Sequence, residues 1–177
     1  MSTGMGMNRW VKLVAFWVAF LLLNFGYRFL PFFPFNLFMG VSEAIFEHAK
    51  IAFYSYLLVS GIEYAIYRKK ITNKSNFVFS RLLVNIITPW LMMAIWYIAP
   101  AVYGKPMPSV PLEIIYANVS VFLLALCLVI LERGVEEAHF AKEQKVVILA
   151  LVAVLVLEFA IFTYQMPWTD VFEIPNF

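Results

Sequence analysis

Glu43, Glu47, His48 and Lys50 fall within one short stretch, Ser42-Glu43-Ala44-Ile45-Phe46-Glu47-His48-Ala49-Lys50. Two carboxylates, an imidazole and an ammonium group can relay protons, pair with an ionic ligand or contribute to a metal site. On a helix, residues at i, i+4 and i+7 share a face. Glu43, Glu47, Lys50 and Tyr54 then form one stripe, and Gly61 continues it. His48 points about 100° away from Glu47, beside Ser55. Ser42 is expected to cap this helix, with Glu43 in its first turn at the positive end of the dipole. The segment reads either as an interfacial cap whose charges snorkel to water or as a buried polar site at a membrane boundary.

Glu158 lies twelve residues into the apolar run that starts at Val146. That is about 18 Å along a helix. A charge near a bilayer midplane costs at least ~2.5 kcal/mol, so the carboxyl is either protonated or faced by a partner. Leu155, Phe159 and Ile161 offer nothing polar, so the partner is expected from another helix. Arg28, Glu113 and Asn118 sit at matching depths in other apolar runs. The candidate ligand or ion site is therefore Glu43, Glu47, His48, Lys50, Glu158, Glu113, Arg28 and Asn118, gathered in the outer half of one bundle. Three further stripes read as helix packing: Trp10, Trp17 and Asn24; Arg81, Asn85, Thr88 and Met92; Glu113, Tyr116, Ser120 and Cys127. Glu63 is expected to pair with Arg68, Lys69 and Lys70 one turn further on.

Glu136 and His139 have the Glu-x-x-His spacing of di-iron bundles. The topology derived below puts them one bilayer, about 30 Å, from Glu43, Glu47 and His48. They are read as a solvated loop face, and no metal or cofactor is expected. A phosphate-cradling glycine loop, a Cys-x-x-Cys pair and a nucleophile elbow are all absent from the sequence.

The elements that must position these residues follow from composition. Of 177 residues, 63% are hydrophobic and 14% charged, against about 45–50% and 25% in a soluble domain. Disorder is excluded, and a soluble globule could not hide so much apolar surface. The single cysteine, Cys127, excludes a disulfide scaffold. No segment alternates as a barrel strand does. A crossing helix needs about 20 apolar residues, and five segments qualify: 9–30, 49–67, 82–103, 112–131 and 146–166. Pro31 and Pro34 end the first, Pro89 is placed to kink the third, and Pro100, Pro106, Pro108 and Pro111 bracket a tight linker to the fourth. A charged, helical connection runs from Glu132 to Lys145. The fold class is all-α, a polytopic membrane bundle forming a single domain over 1–177.

Ten of the thirteen Lys and Arg residues fall in the N-terminus and the second and fourth loops. The positive-inside rule makes that face cytoplasmic and the C-terminus external. With five acids the inner face carries +5, and with three cations and six acids the outer face carries −3. The inner face therefore suits anionic lipid headgroups, the chain's partner is the lipid bilayer, and no nucleic-acid partner is expected. Five helices close poorly around a pore, so a homo-oligomer or a larger membrane complex is a natural assembly.

The order of motifs resembles a family of small prokaryotic five-helix membrane proteins, catalogued only as a domain of unknown function. Its signature is an Asn-Glu-Ser-Val-Trp-Glu-His-Leu-Lys-like stretch at the start of the second helix. Glu43, Glu47, His48 and Lys50 match it, with Phe46 in place of Trp. Ile62-Glu63-Tyr64 matches a later step, and Phe162-Thr163-Tyr164-Gln165-Met166-Pro167 followed by Val171-Phe172-Glu173-Ile174-Pro175 matches the ending. The resemblance implies a prokaryotic plasma-membrane location and favours a buried polar site at Glu43 to Lys50. It brings no activity, substrate or cofactor. Three functions follow as expectations: binding or transport of a small ligand or ion through the outer polar residues, an accessory subunit of a membrane complex, and an embedded enzyme using a Glu/His pair or a metal.

Overall fold

A computed structural model of the chain describes residues 6–104, 109–167 and 170–172. Among these there are five long helices and no strands: α1 (Arg9–Gly26), α2 (Ile45–Tyr67), α3 (Lys74–Tyr103), α4 (Val110–Glu136) and α5 (Lys142–Tyr164). Single 3₁₀ turns follow at Phe35–Leu37 and Asp170–Phe172. The helix starts have local causes. Asn8 accepts from the Trp10 N–H at 2.9 Å, and Asn73 accepts from the Asn76 N–H at 3.0 Å, each side chain satisfying a backbone donor that a helix start leaves free. The Gln144 carbonyl accepts from the Ala141 N–H at 2.8 Å. α3 stops at Gly104, whose φ of +64° needs no Cβ, and the Gly104 N–H closes back on the Pro100 carbonyl at 2.8 Å.

The boundaries correct several expectations. α2 begins at Ile45 with Ala44 as its cap, so Ser42 does not cap it and Glu43 precedes the first turn. The Ser42 hydroxyl instead accepts from the Ala44 N–H at 3.4 Å. The charged stretch from Glu132 to Lys145 is not one connection: its ends belong to α4 and α5, and the break falls between Glu136 and Lys142. The linker prolines Pro106 and Pro108 lie outside the described residues.

Four helices, α1, α3, α4 and α5, are long and apolar enough to cross a membrane. α2, where the second span was expected, does not reach that apolarity. The reason is its place in the bundle. Fourteen of its 23 residues are buried, including Glu47, His48, Lys50, Ser55, Ser60 and Glu63. A helix wrapped by protein on most sides can carry polar side chains that a lipid-exposed helix cannot. α5 is the converse, with a mean hydropathy of 2.9 over its most apolar stretch and few buried residues. An exposed helix that is apolar all round is what a bilayer, not water, stabilises.

Two apolar clusters hold the helices. The larger joins Leu13, Phe16 and Phe20 of α1 to Tyr56 of α2, Met92 of α3 and Leu124 of α4. The smaller docks α5 through Leu155 and Phe159 onto Phe46 and Phe53 of α2. α1 buries Lys12, Leu13, Phe16, Ala19 and Phe20, so the Trp10, Trp17, Asn24 stripe lies beside the core face and Trp10 is exposed. The stripe of Arg81, Asn85, Thr88 and Met92 on α3 is buried throughout.

α3 contains Pro89 and Pro100. Pro100 has no N–H for the Trp96 carbonyl four residues back. The Tyr116 hydroxyl of α4 fills that gap. It lies 2.6 Å from the Ile95 carbonyl and 2.9 Å from the Trp96 carbonyl, and it accepts from the Ala99 N–H at 3.2 Å. A weak point in one helix thereby becomes an attachment for its neighbour.

Candidate functional site

Charge is collected at both ends of the bundle. At the Gly26 end, where α1 finishes and α2 begins, a cavity of about 380 Å³ opens between α1, α2, α3 and α4. Phe20, Phe25, Met92 and Trp96 supply apolar wall, and Arg28, Glu43, His48, Glu113, Asn24 and Asn118 supply polar groups. A mostly apolar cleft with a few convergent polar groups is the usual form of a small-molecule site.

His48 lines this cavity. Its ring stacks on Phe20 (centroids 6.2 Å apart) and on Trp96 (5.6 Å). Nε2 lies 3.6 Å from a Glu43 oxygen, and Nδ1 is buried with no hydrogen-bond partner among the described residues. The other Glu43 oxygen lies 3.5 Å from the Arg28 guanidinium, and both side chains are more than half exposed. The adjacent His48 imidazole holds the Glu43 carboxyl below its ordinary value of 4.5; partial burial opposes this, and the Arg28 charge assists it. Asn118 accepts from Trp17 Nε1 at 3.0 Å and donates to the Ile114 carbonyl at 2.8 Å. Glu113, in the first turn of α4, lines the same cavity.

Glu47 and Lys50 do not join it. Both are fully buried, and they pair with each other at 2.8 Å. Lys50 also donates to the Asn36 carbonyl at 3.0 Å and to the Thr163 hydroxyl at 3.1 Å, so its three N–H groups all have acceptors. Glu47 accepts from the Val41 N–H at 2.9 Å. This pair ties the α1–α2 connection and the end of α5 onto α2. It is a clamp with no lysine donor left for a ligand, although Glu47 Oε1 is buried with no hydrogen-bond partner among the described residues.

Glu158 does not join the cavity either. It is half-buried on α5, and it has no hydrogen-bond or ion-pair partner among the described residues. The expected convergence of eight residues thus becomes three arrangements. Arg28, Glu43, His48, Glu113 and Asn118 surround the cavity, Glu47 and Lys50 form the clamp, and Glu158 stands apart.

At the Arg9 end lies a buried ionic cluster that the sequence does not show as one group, since Glu63 was expected against Arg68, Lys69 and Lys70 and Arg81 on a packing stripe of α3. Lys12 Nζ is 2.5 Å from Glu63 of α2 and 2.5 Å from Glu132 of α4. Arg81 of α3 lies 3.7 Å from Glu63, 3.9 Å from Glu132 and 2.9 Å from Glu136. The Tyr56 hydroxyl donates to Glu132 at 2.6 Å. The Met7 N–H donates to Glu63 at 2.9 Å, and a Cβ on Gly6 would stand 2.6 Å from the same carboxylate, so a larger residue there would push the Glu63 carboxylate aside. Glu63 therefore pairs with Lys12 and Arg81, not with Arg68, Lys69 and Lys70, which are exposed. Glu136 is half-buried against Arg81 and not part of a solvated face, whereas His139 is exposed. One signal in the sequence marks this cluster. Each charge continues a buried stripe: Lys12 before Phe16 and Ala19, Glu63 after Tyr56 and Val59, Arg81 before Asn85 and Thr88, Glu132 after Leu124 and Leu128.

Among the described residues no three His, Cys, Asp or Glu side chains are placed to hold a metal ion. No family model matches the chain, and no curated protein or solved structure matches it.

Proposed function

We propose that the chain is a multi-pass integral membrane protein that binds, and in its working cycle moves, a small amphipathic molecule bearing a basic group. In this reading all five helices cross the bilayer, the N-terminus is cytoplasmic and the cavity at the Gly26 end faces outward. The observation that carries it is the cavity itself, where Glu43 and Glu113 outnumber Arg28 and aromatic rings line the wall. Carboxylates pair with an ammonium group, and rings of Phe and Trp attract a cation across their faces. His48, with one nitrogen unpaired, supplies a further polar contact. Kinship with the five-helix family belongs to the same proposal, supported by Glu43, Glu47, His48 and Lys50 and by the later matches at Ile62-Glu63-Tyr64 and in the ending.

Thermal unfolding of the detergent-purified protein with a panel of alkylamines of increasing chain length tests this. A ligand at a hundred times its Kd stabilises by about 2.7 kcal/mol. The expected result is a rise in Tm for the native chain, lost in Glu113→Gln and in His48→Ala. No shift across the panel, or equal shifts in all three proteins, overturns the reading.

A second reading, an accessory subunit of a larger complex, is favoured by Glu158. An ionisable group on the least buried helix with no described partner in its own chain suits a partner from another chain. The same purification decides it, since native mass spectrometry then finds a companion chain that Glu158→Gln releases.

A further inference from the structure

Two further hollows lie between α1 and α4. Near the Arg9 end a hollow of about 240 Å³ is lined by Arg9, Trp10 and Leu13 of α1 and by Leu126, Ile130 and Arg133 of α4. A hollow of about 630 Å³ shares Trp10, Leu13 and Leu126 with it and continues along α4 past Phe122 and Val119 to Ile114. Together they form one groove that is cationic at one end and apolar along its length. Arg9 and Arg133 are both exposed, and neither pairs with a carboxylate among the described residues. Glu132 and Glu136, the nearest acids on α4, are turned inward to Lys12 and Arg81.

We propose that this groove holds one anionic glycerophospholipid of the cytoplasmic leaflet. The phosphate sits between Arg9 and Arg133, and an acyl chain lies along Leu126 and Phe122. Four observations bear on this occupant. Two unpaired guanidinium groups complement a phosphate, which they bind through paired N–H donors. They stand at the end of the molecule that carries most of the basic residues, the face expected to meet anionic headgroups. The groove runs on to Ile114, and its first eleven residues, from Arg133 to Phe122, span about 17 Å, room for an acyl chain of one leaflet, half of a ~30 Å hydrocarbon core. Trp10, exposed beside Arg9, has the position of an interfacial aromatic. The inference rests on the membrane part of the proposed function; the groove's far end shares Ile114 and Asn118 with the cavity at the Gly26 end, whereas Arg9, Arg133 and Leu126 take no part in that cavity.

Native mass spectrometry of the full chain in mild detergent, titrated with phosphatidylglycerol or phosphatidylcholine, tests it. The native protein is expected to retain one phosphatidylglycerol at least tenfold better than phosphatidylcholine. The Arg9→Gln/Arg133→Gln variant is expected to lose that preference, and Leu126→Trp, which fills the groove and keeps both arginines, is expected to lose the bound lipid. Arg68→Gln/Lys69→Gln, which removes two exposed cations elsewhere on the same face, is expected to behave as native. Equal retention of the two lipids by the native protein overturns the proposal. So does equal loss in the Arg68/Lys69 variant, or a second copy of the chain in place of a lipid. Because the readout is lipid mass, its failure leaves the alkylamine result untouched, and the reverse also holds.

Discussion

Glu43 and His48 are neighbours across a helix start, and what they do depends on that start. With α2 beginning at Ile45, Glu43 sits just outside the helix and reaches back to His48 and out to Arg28. The consequence is a pH dependence whose sign follows from linkage. The folded chain holds Glu43 below 4.5, so its contribution to stability is fully present above that value. It is lost as pH falls through the lower, folded-state value. Thermal unfolding measured from pH 6 downward is expected to show part of the acid loss in the native chain and less of it in Glu43→Gln. Identical acid profiles for the two proteins would remove Glu43 from the account. The four chemistry-bearing residues from Glu43 to Lys50 were legible from the sequence as a group. Their division was not, because spacing alone cannot say that Asn36 and Thr163 complete the coordination of Lys50.

At the scale of elements, the cluster at the Arg9 end joins four helices. Lys12, Glu63, Arg81 and Glu132 each come from a different one. Burying several ions costs several kcal/mol apiece and is offset only when each is paired and hydrogen-bonded. Removing one partner is therefore worse than removing two of opposite sign. Lys12→Leu is expected to destabilise by about 3–5 kcal/mol, because Glu63 and Glu132 then share Arg81 alone. Lys12→Leu/Glu63→Gln is expected to recover a substantial part of that loss. Chemical unfolding in detergent reads both, and additive effects would show that the pair is not coupled. The helices themselves were legible, since apolar runs and prolines marked their existence and approximate ends. The cluster was missed because charges at helix ends are normally solvated. Of the four, only Arg81 falls on a stripe legible in the sequence, with Asn85, Thr88 and Met92, and nothing within one helix says that Lys12, Glu63 and Glu132 face it.

For the whole molecule, α2 is the element that a bilayer tolerates least on its own and the one the other helices enclose. Its charged side chains and His48 fall into the cavity, the clamp and the ionic cluster, while α5 offers apolar surface almost all round. The proposed orientation makes a direct prediction. With Cys127 replaced by alanine, Tyr103→Cys is expected to react with an impermeant maleimide on intact cells. Lys142→Cys is expected to react only after the membrane is opened. The reverse pattern would invert the protein and place the cavity on the inner side.

By itself the sequence determined the class. Too little charge and long apolar runs leave an all-α chain with helices able to cross a membrane, because unpaired backbone is intolerable in hydrocarbon. It also named the polar residues that such a chain has to account for. Only the tertiary structure decided which of them meet. Contacts between helices depend on rotation and crossing, which periodicity within one helix does not encode. Helix packing is what seals Glu47 with Lys50 and opens a cavity at His48. It also draws Lys12 to Glu63 and Glu132, and leaves Glu158 without a described partner in its own chain.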